Sequence, residues 1–159
     1  MIGRMAEHRY ELTVEWTGDR GTGTRDYKGY GRDHIVSAEG LPKIRASADP
    51  SFRGEDSRWN PEQLFVASLS QCHMLWFLHL CADSGVVVLE YVDHPVGAMV
   101  TGKDGRGEFT EVLLRPAVVV AAPDQVERTW DLHERAHEMC FISRSVKCPV
   151  RHEPAAVAH

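Results

Sequence analysis

The stretch NPEQLFVASLSQCHMLWFLHLCAD, residues 60–83, decides the fold. Asn60 is a good helix N-cap, Pro61 suits the first helical position, and Glu62 puts an acid in the first turn. Ser84-Gly85 supplies the stop. The spacing therefore predicts one long helix from Pro61 to Asp83. Leu64, Phe65, Ala67, Leu69, Leu75, Trp76, Phe77, Leu78 and Leu80 occupy most of its circumference. A helix apolar nearly all round is expected to be buried on nearly all sides. Cys72 falls at its midpoint.

Upstream, Tyr10, Leu12, Val14 and Trp16 alternate and predict a first strand over residues 9–16. Gly18, Gly21 and Gly23 mark a turn. A second strand is expected over Arg25–Ser37 and a third over Lys43–Ala48. The polar stretch Asp49–Trp59 reads as an exposed loop. Downstream, Val86–Val100 and Glu108–Ala121 read as strands joined by the glycine-rich loop 101–107. Pro123-Asp124 opens a second helix running to Met139 or Cys140, and a short strand follows near Val146–Arg151. With no repeat and no linker, residues 1–159 read as one α+β domain of order β-β-β-α-β-β-α-β.

The 159 residues are 43% apolar and 26% charged, a globular mix, and the net charge of −5 disfavours a nucleic-acid partner. Arg4, Glu7, His8 and Arg9 near the start, with no apolar run behind them, give no reason to expect a secretory leader. Residues 64–82 are interrupted by Ser68, Ser70, Gln71, Cys72, His73 and His79, too polar a run for an expected membrane span. The expected compartment is the cytoplasm, where thiols stay reduced. Cys72, Cys81, Cys140 and Cys148 form no C-x-x-C pair, which excludes zinc-ribbon and thioredoxin signatures.

A cysteine inside an apolar helix is ordinarily a small hydrophobe. Cys72, however, has Ser68, Gln71 and His73 as helical neighbours. The chain also offers Arg25 after a glycine-rich turn and Glu62 at the helix start. A reactive thiol needs a nearby cation to favour the thiolate, and a carboxylate can hold that cation through a bidentate pair.

Asn60 to Cys72 resembles the first-cysteine helix of the OsmC/Ohr family, the osmotically inducible and organic-hydroperoxide-resistance proteins. Ala136-His137-Glu138-Met139-Cys140-Phe141-Ile142-Ser143 resembles that family's second-cysteine segment, and Gly23-Thr24-Arg25-Asp26 the segment carrying its active-site arginine. The resemblance implies a thiol-dependent peroxidase without a cofactor. Cys72 would be the peroxidatic and Cys140 the resolving cysteine, with Arg25 and Glu62 matching the family's arginine and glutamate. It also implies an organic hydroperoxide as substrate, an external dithiol as reductant, and an intertwined homodimer with sites at the subunit interface. Phe65, Leu69 and Trp76 are candidate walls for an apolar peroxide pocket, from helical spacing.

Glu62 and Cys72 are ten residues apart, which is about 15 Å along a straight helix. They cannot touch, so Arg25 bridges them or a second chain contributes. Cys81, nine residues from Cys72, points to the opposite helix face and reads as packing. Cys148, in Cys148-Pro149-Val150, is a rival to Cys140 as resolving residue. Phe141 and Arg144 depart from the family pattern, as do the histidines His73, His79, His133 and His137.

His133-Glu134-Arg135-Ala136-His137 fits H-E-x-x-H, which on a helix can bind zinc with the glutamate as general base. No G-x-x-H extension follows, and among nine histidines the match carries little weight. No metal site is expected. The alternative to a peroxidase is a non-catalytic ligand- or metal-binding member of the same fold.

Overall fold

The computed structural model describes residues 6–159; Met1–Met5, part of the stretch read as carrying no leader, lie outside the described residues. The chain gathers into two compact units, one ending at Gln63 and one beginning at Leu64.

The first unit carries strands β1 (Thr13–Trp16), β2 (His34–Ser37) and β3 (Ile44–Ala46), an antiparallel sheet in that order. The second strand is much shorter than expected. Residues 26–32 close a turn instead: Gly29 N–H donates to the Asp26 carbonyl at 2.9 Å, and the Arg32 guanidinium donates to the carbonyls of Tyr27 and Tyr30. These bonds satisfy backbone groups that a strand would have had to pair. The glycine-rich turn forms as expected. Asp19 accepts from Gly21 and Gly23 N–H, and both glycines take positive φ. The loop 49–59 is mostly exposed, opens with a 3₁₀ turn Pro50–Phe52 capped by Asp49, and ends in an ion pair between Arg58 and Asp33 at 3.4 Å.

Helix α1 spans Pro61–Asp83, the limits read from sequence. Its start is a reciprocal capping box: Gln63 N–H donates to Asn60 Oδ1 at 2.8 Å, and Asn60 N–H donates to Gln63 Oε1 at 3.1 Å. Asn60→Ala removes one of these bonds and should cost about 1 kcal/mol, read as a shift in urea midpoint. An unchanged midpoint would show that the cap contributes nothing. At the other end Gly85 adopts φ 70° and closes the helix.

The second unit contains two three-stranded sheets. The first has the order β4 (Val88–Asp93), β7 (Pro116–Val120), β9 (Ala155–Ala158); the second has β5 (Val96–Thr101), β6 (Gly107–Leu114), β8 (Val150–His152). Each expected long strand is thus broken in two, at His94-Pro95 and at Arg115-Pro116, and the short last strand is followed by a further strand after Glu153-Pro154. Proline lacks the N–H that a ladder needs, so the chain changes sheet there. The second helix begins later than expected, with a 3₁₀ turn at Pro123–Gln125 before α2 (Arg128–Met139).

The two halves of α1 enter two cores. Leu69 packs with Val112, Leu114 and Val150 of the β5-β6-β8 sheet. Phe77, Leu80 and Cys81 pack with Val118 and Val120 of the other sheet and with Leu132 and Ala136 of α2. The expectation of a helix buried on nearly all sides needs correction for the single chain. Leu69, His73, Phe77, Leu80 and Cys81 are buried, but Leu75 on the opposite side is 61% exposed. One chain has enough sheet and helix to cover one face only. By length and composition α1 would also pass for a membrane-crossing helix; its buried face packs as a core helix does.

Candidate thiol site

Cys72 is half-buried on α1 and Cys140 is buried at the C-cap of α2. The seam between the helices places the two thiols as electrostatic neighbours, with both cysteines free. Cys140 Sγ also receives the Ser143 N–H at 3.4 Å, from the 3₁₀ turn Ser143–Ser145. Burial, only partly opposed by that N–H, pushes the Cys140 thiol up to about 11, and the neighbouring Cys72 pushes the same way. Cys140 therefore keeps its proton near neutrality. Trp76, one turn on from Cys72, and Phe141, next to Cys140, meet edge to face with ring centroids 5.4 Å apart.

The other two cysteines lie elsewhere. Cys81 is buried, and desolvation pushes its thiol up to about 11 as well. Cys148 lines an open groove of about 550 Å³ with Phe65, Phe109 and Val146. Of the expected pocket walls, Trp76 stands by the thiol pair and Phe65 by Cys148, while Leu69 is fully buried in the core.

Arg25 and Glu62 belong to the first unit, where the structure does not bring them together. Arg25 is exposed and, among the described residues, no ion pair joins it to Glu62. Glu62 Oε2 is buried without a hydrogen-bond partner. The arginine held in place in this segment is Arg32, whose guanidinium lies 4.5 and 4.0 Å from the ring centroids of Tyr27 and Tyr30.

The H-E-x-x-H segment is not arranged as a metal site. His133 turns into the core, where its ring stacks on Phe77 at 3.8 Å and its Nδ1 meets His73 Nε2 at 3.0 Å. His137 instead lies beside His152, with centroids 5.3 Å apart. Among the described residues no three His, Cys, Asp or Glu side chains are placed to hold a metal ion. The sequence gives His73 as a polar neighbour of Cys72 and a departure from the family, not as a core residue. Its spacing of four from Leu69 and from Phe77, both core residues, was the available signal that it faces inward.

Burial lowers His73 to about 4, with His152 and His137 adding to the shift, and lowers His133 to about 3, with His73 and His152 adding. Both groups are thus depressed below the ordinary 6.5. The unfolded chain binds protons at these sites that the folded chain refuses, so their contribution is full above pH 6.5 and is lost as pH falls toward 4 and below. Between those limits stability should drop by about 1.4 kcal/mol per pH unit for each histidine. Urea denaturation at pH 7, 6 and 5 checks this; equal midpoints would refute it.

The fold is α+β, with one free thiol on α1 and another at the C-cap of α2. Comparison with known proteins gives the family: the profile described as OsmC-like protein matches residues 54–154, and the chain belongs to that family. An OsmC-like protein of unknown function from Vibrio cholerae is 35% identical, with 94% of this chain and 99% of that one covered and a TM-score of 0.82. An organic hydroperoxide resistance protein from Elizabethkingia anophelis shares the fold at 18% identity, covering 97% and 100%, with a TM-score of 0.66. One from Legionella pneumophila does so at 18% identity, covering 94% and 98%, also at 0.66. No curated protein matches the sequence.

Proposed function

We propose that this protein is a thiol-dependent peroxidase that reduces organic hydroperoxides, and hydrogen peroxide less selectively, through Cys72 and Cys140. The observation that carries the reading is the proximity of the two free thiols, close enough for Cys72 to perturb Cys140. The Cys72 thiolate attacks the distal peroxide oxygen. The O–O bond breaks, the alkoxide leaves and takes a proton as alcohol, and Cys72 becomes a sulfenic acid. Cys140 then attacks that sulfur, water leaves, and a Cys72–Cys140 disulfide forms. An external dithiol reduces it by exchange. The high affinity of Cys140 for its proton supports this division of labour: it stays a thiol at rest and attacks only after Cys72 is oxidised. The relatives named for organic hydroperoxide resistance support the substrate class.

Arg25 is assigned the cation that favours the thiolate and the departing oxygen, and Glu62 the carboxylate that holds it. The unpartnered Glu62 Oε2 supports this, since it is free to accept a guanidinium N–H. Arg25→Ala should lower kcat/KM for peroxide by roughly 10²-fold. A loss confined to Arg32→Ala would move the role to Arg32. The uncovered apolar side of α1 supports a homodimer, which light scattering tests, and the free cysteines agree with a reducing cytoplasm.

The deciding experiment treats the reduced protein with one equivalent of organic hydroperoxide and maps its thiols by mass spectrometry. A Cys72–Cys140 disulfide is expected in wild type, and a persistent Cys72 sulfenic acid in Cys140→Ser. Persistence only in Cys148→Ser would reassign resolution to Cys148. A Cys72 that stays a free thiol would end the peroxidase reading.

A further inference from the structure

Two pairs of side chains face each other across the α1–α2 seam: the neighbouring Cys72 and Cys140 thiols, and His73 Nε2 with His133 Nδ1 at 3.0 Å. The two imidazole planes are parallel within 3°, and the rings meet edge to edge through the facing nitrogens. One proton serves that contact, with one ring donating and the other accepting. Both side chains are buried, at 1% and 0% exposure. Their outer nitrogens, His73 Nδ1 and His133 Nε2, have no partner.

The charged and titratable groups around the pair come from three elements. Alongside His73 on α1 and His133 on α2 stand Glu134, His137 and Glu138 of α2 and His152 of β8. The His152 ring is 5.3 Å from His73 and 6.3 Å from His133, and its Nε2 is 3.2 Å from Glu134 Oε1. His137 and His152 oppose added positive charge on the pair, while Glu134 and Glu138 act on His137 at the rim.

Packing alone does not account for this arrangement. Buried polar groups are ordinarily satisfied, and two apolar side chains would fill the same space without leaving two nitrogens unpaired. What imidazoles add is a link that depends on the proton. With one proton between them the facing nitrogens attract. With both rings protonated, both facing nitrogens are donors, the bond is lost, and like charges oppose each other in a poorly solvated seam.

We infer that His73 and His133 are positioning residues that form a proton-operated latch: it fixes α2 on α1, and so sets Cys140 against Cys72, near neutrality, and it opens in acid. The inference rests on Cys72 and Cys140 being the redox pair, but the latch itself involves no peroxide. Burial keeps both rings neutral at pH 7 and confines opening to acid. Cys72 and Cys140 ride on different helices, so opening separates the thiols and slows disulfide closure while leaving Cys72 on α1.

The test follows labelling of Cys140 by 4,4′-dithiodipyridine, which reacts with thiols in acid as well as at neutral pH, relative to the urea-unfolded protein at the same pH. Between pH 7 and pH 4, with circular dichroism still native, wild type should show at least a tenfold relative rise. His73→Gln with His133→Asn places amides at the facing positions, keeping the bond without titration, and its labelling should stay slow at both pH values. A flat wild-type profile, or the same rise in the double variant, overturns the latch. If the double variant does not fold, ring nitrogen NMR on wild type decides. One N–H···N proton shared at pH 7 and lost where Cys140 becomes reactive is expected, and two rings titrating independently near 6.5 overturn it. Stoichiometric zinc bound to the native protein with ring shifts at both histidines would also overturn it, since the nitrogens would then be ligands. A failed peroxidase reading shows up separately, as a Cys72 inert to hydroperoxide behind an intact latch.

Discussion

Cys72→Ser will remove turnover of cumene hydroperoxide in the presence of an excess dithiol, by roughly 10³-fold or more. A serine hydroxyl does not ionise near neutrality, and no other sulfur is placed to substitute. Cys140 is buried and holds its proton to about 11, as does Cys81, and Cys148 sits in a separate groove. Cys140→Ser should behave differently. Its hydroxyl cannot close a disulfide, so one equivalent of peroxide is consumed in a burst and steady turnover then falls to the rate at which the dithiol attacks the sulfenic acid directly. Stopped-flow consumption of peroxide separates the two variants. Wild-type turnover in Cys72→Ser would sink the assignment.

Phe77→Ala should be the most damaging core substitution, at about 3–5 kcal/mol. Phe77 is fully buried at the junction of α1, α2 and the β4-β7-β9 sheet, packed among Leu80, Val118, Val120 and Leu132. Its ring also covers the face of His133 at 3.8 Å and lies 5.8 Å from Tyr91. Truncation leaves a cavity against a buried imidazole, so the site cannot collapse without exposing a polar group. For a chain of this length the loss should lower Tm by roughly 10 °C. Phe77→Leu, which keeps most of the volume, should cost about half as much or less. Thermal unfolding of the three proteins checks the order; equal Tm values for Ala and wild type would show that the seam is not packed as described.

The limits of α1 were legible because both ends carry chemistry with a single meaning. Asn60 and Gln63 satisfy each other's backbone, Pro61 fits the first turn, and Gly85 takes the positive φ that stops the helix. The strands were less legible. Runs such as 86–100 and 108–121 look continuous to a reading weighted on β-branched residues. The prolines at 95 and 116 divide them, and only pairing shows that the pieces join different sheets. The segment before β2 looked like a strand because nothing in periodicity reveals that Arg32 will claim two backbone carbonyls.

Of the candidate site, Cys72 and Cys140 are electrostatic neighbours, although they are 68 positions apart in the chain. That juxtaposition was available only through resemblance, because spacing along a chain does not fix contact between two helices. Arg25 was matched to the family's arginine by resemblance alone, since spacing along the chain does not say what its side chain meets. The histidines were the largest omission. His133 was weighed with His137 as a metal motif, but the partner that matters to it is 60 positions earlier, on another helix.

The third strand of each sheet in the second unit has a consequence for how the chain is made. β8 pairs in parallel with β6 through Val112–Val150 to Leu114–His152, and β9 pairs in parallel with β7 through Ala117–Ala155 to Val120–Ala158. Both are supplied by residues 150–158, after the whole of α2. During synthesis, therefore, β6 and β7 leave the ribosome with open edges, and nothing already translated can take the place of the last strands. Those edges are apolar and β-branched, the kind of template on which nascent chains associate. Neither sheet is complete until this final segment emerges, so commitment to the native state comes late, and α1, although translated early and self-capped, must wait for the last strand partners before the packing on its buried face is finished.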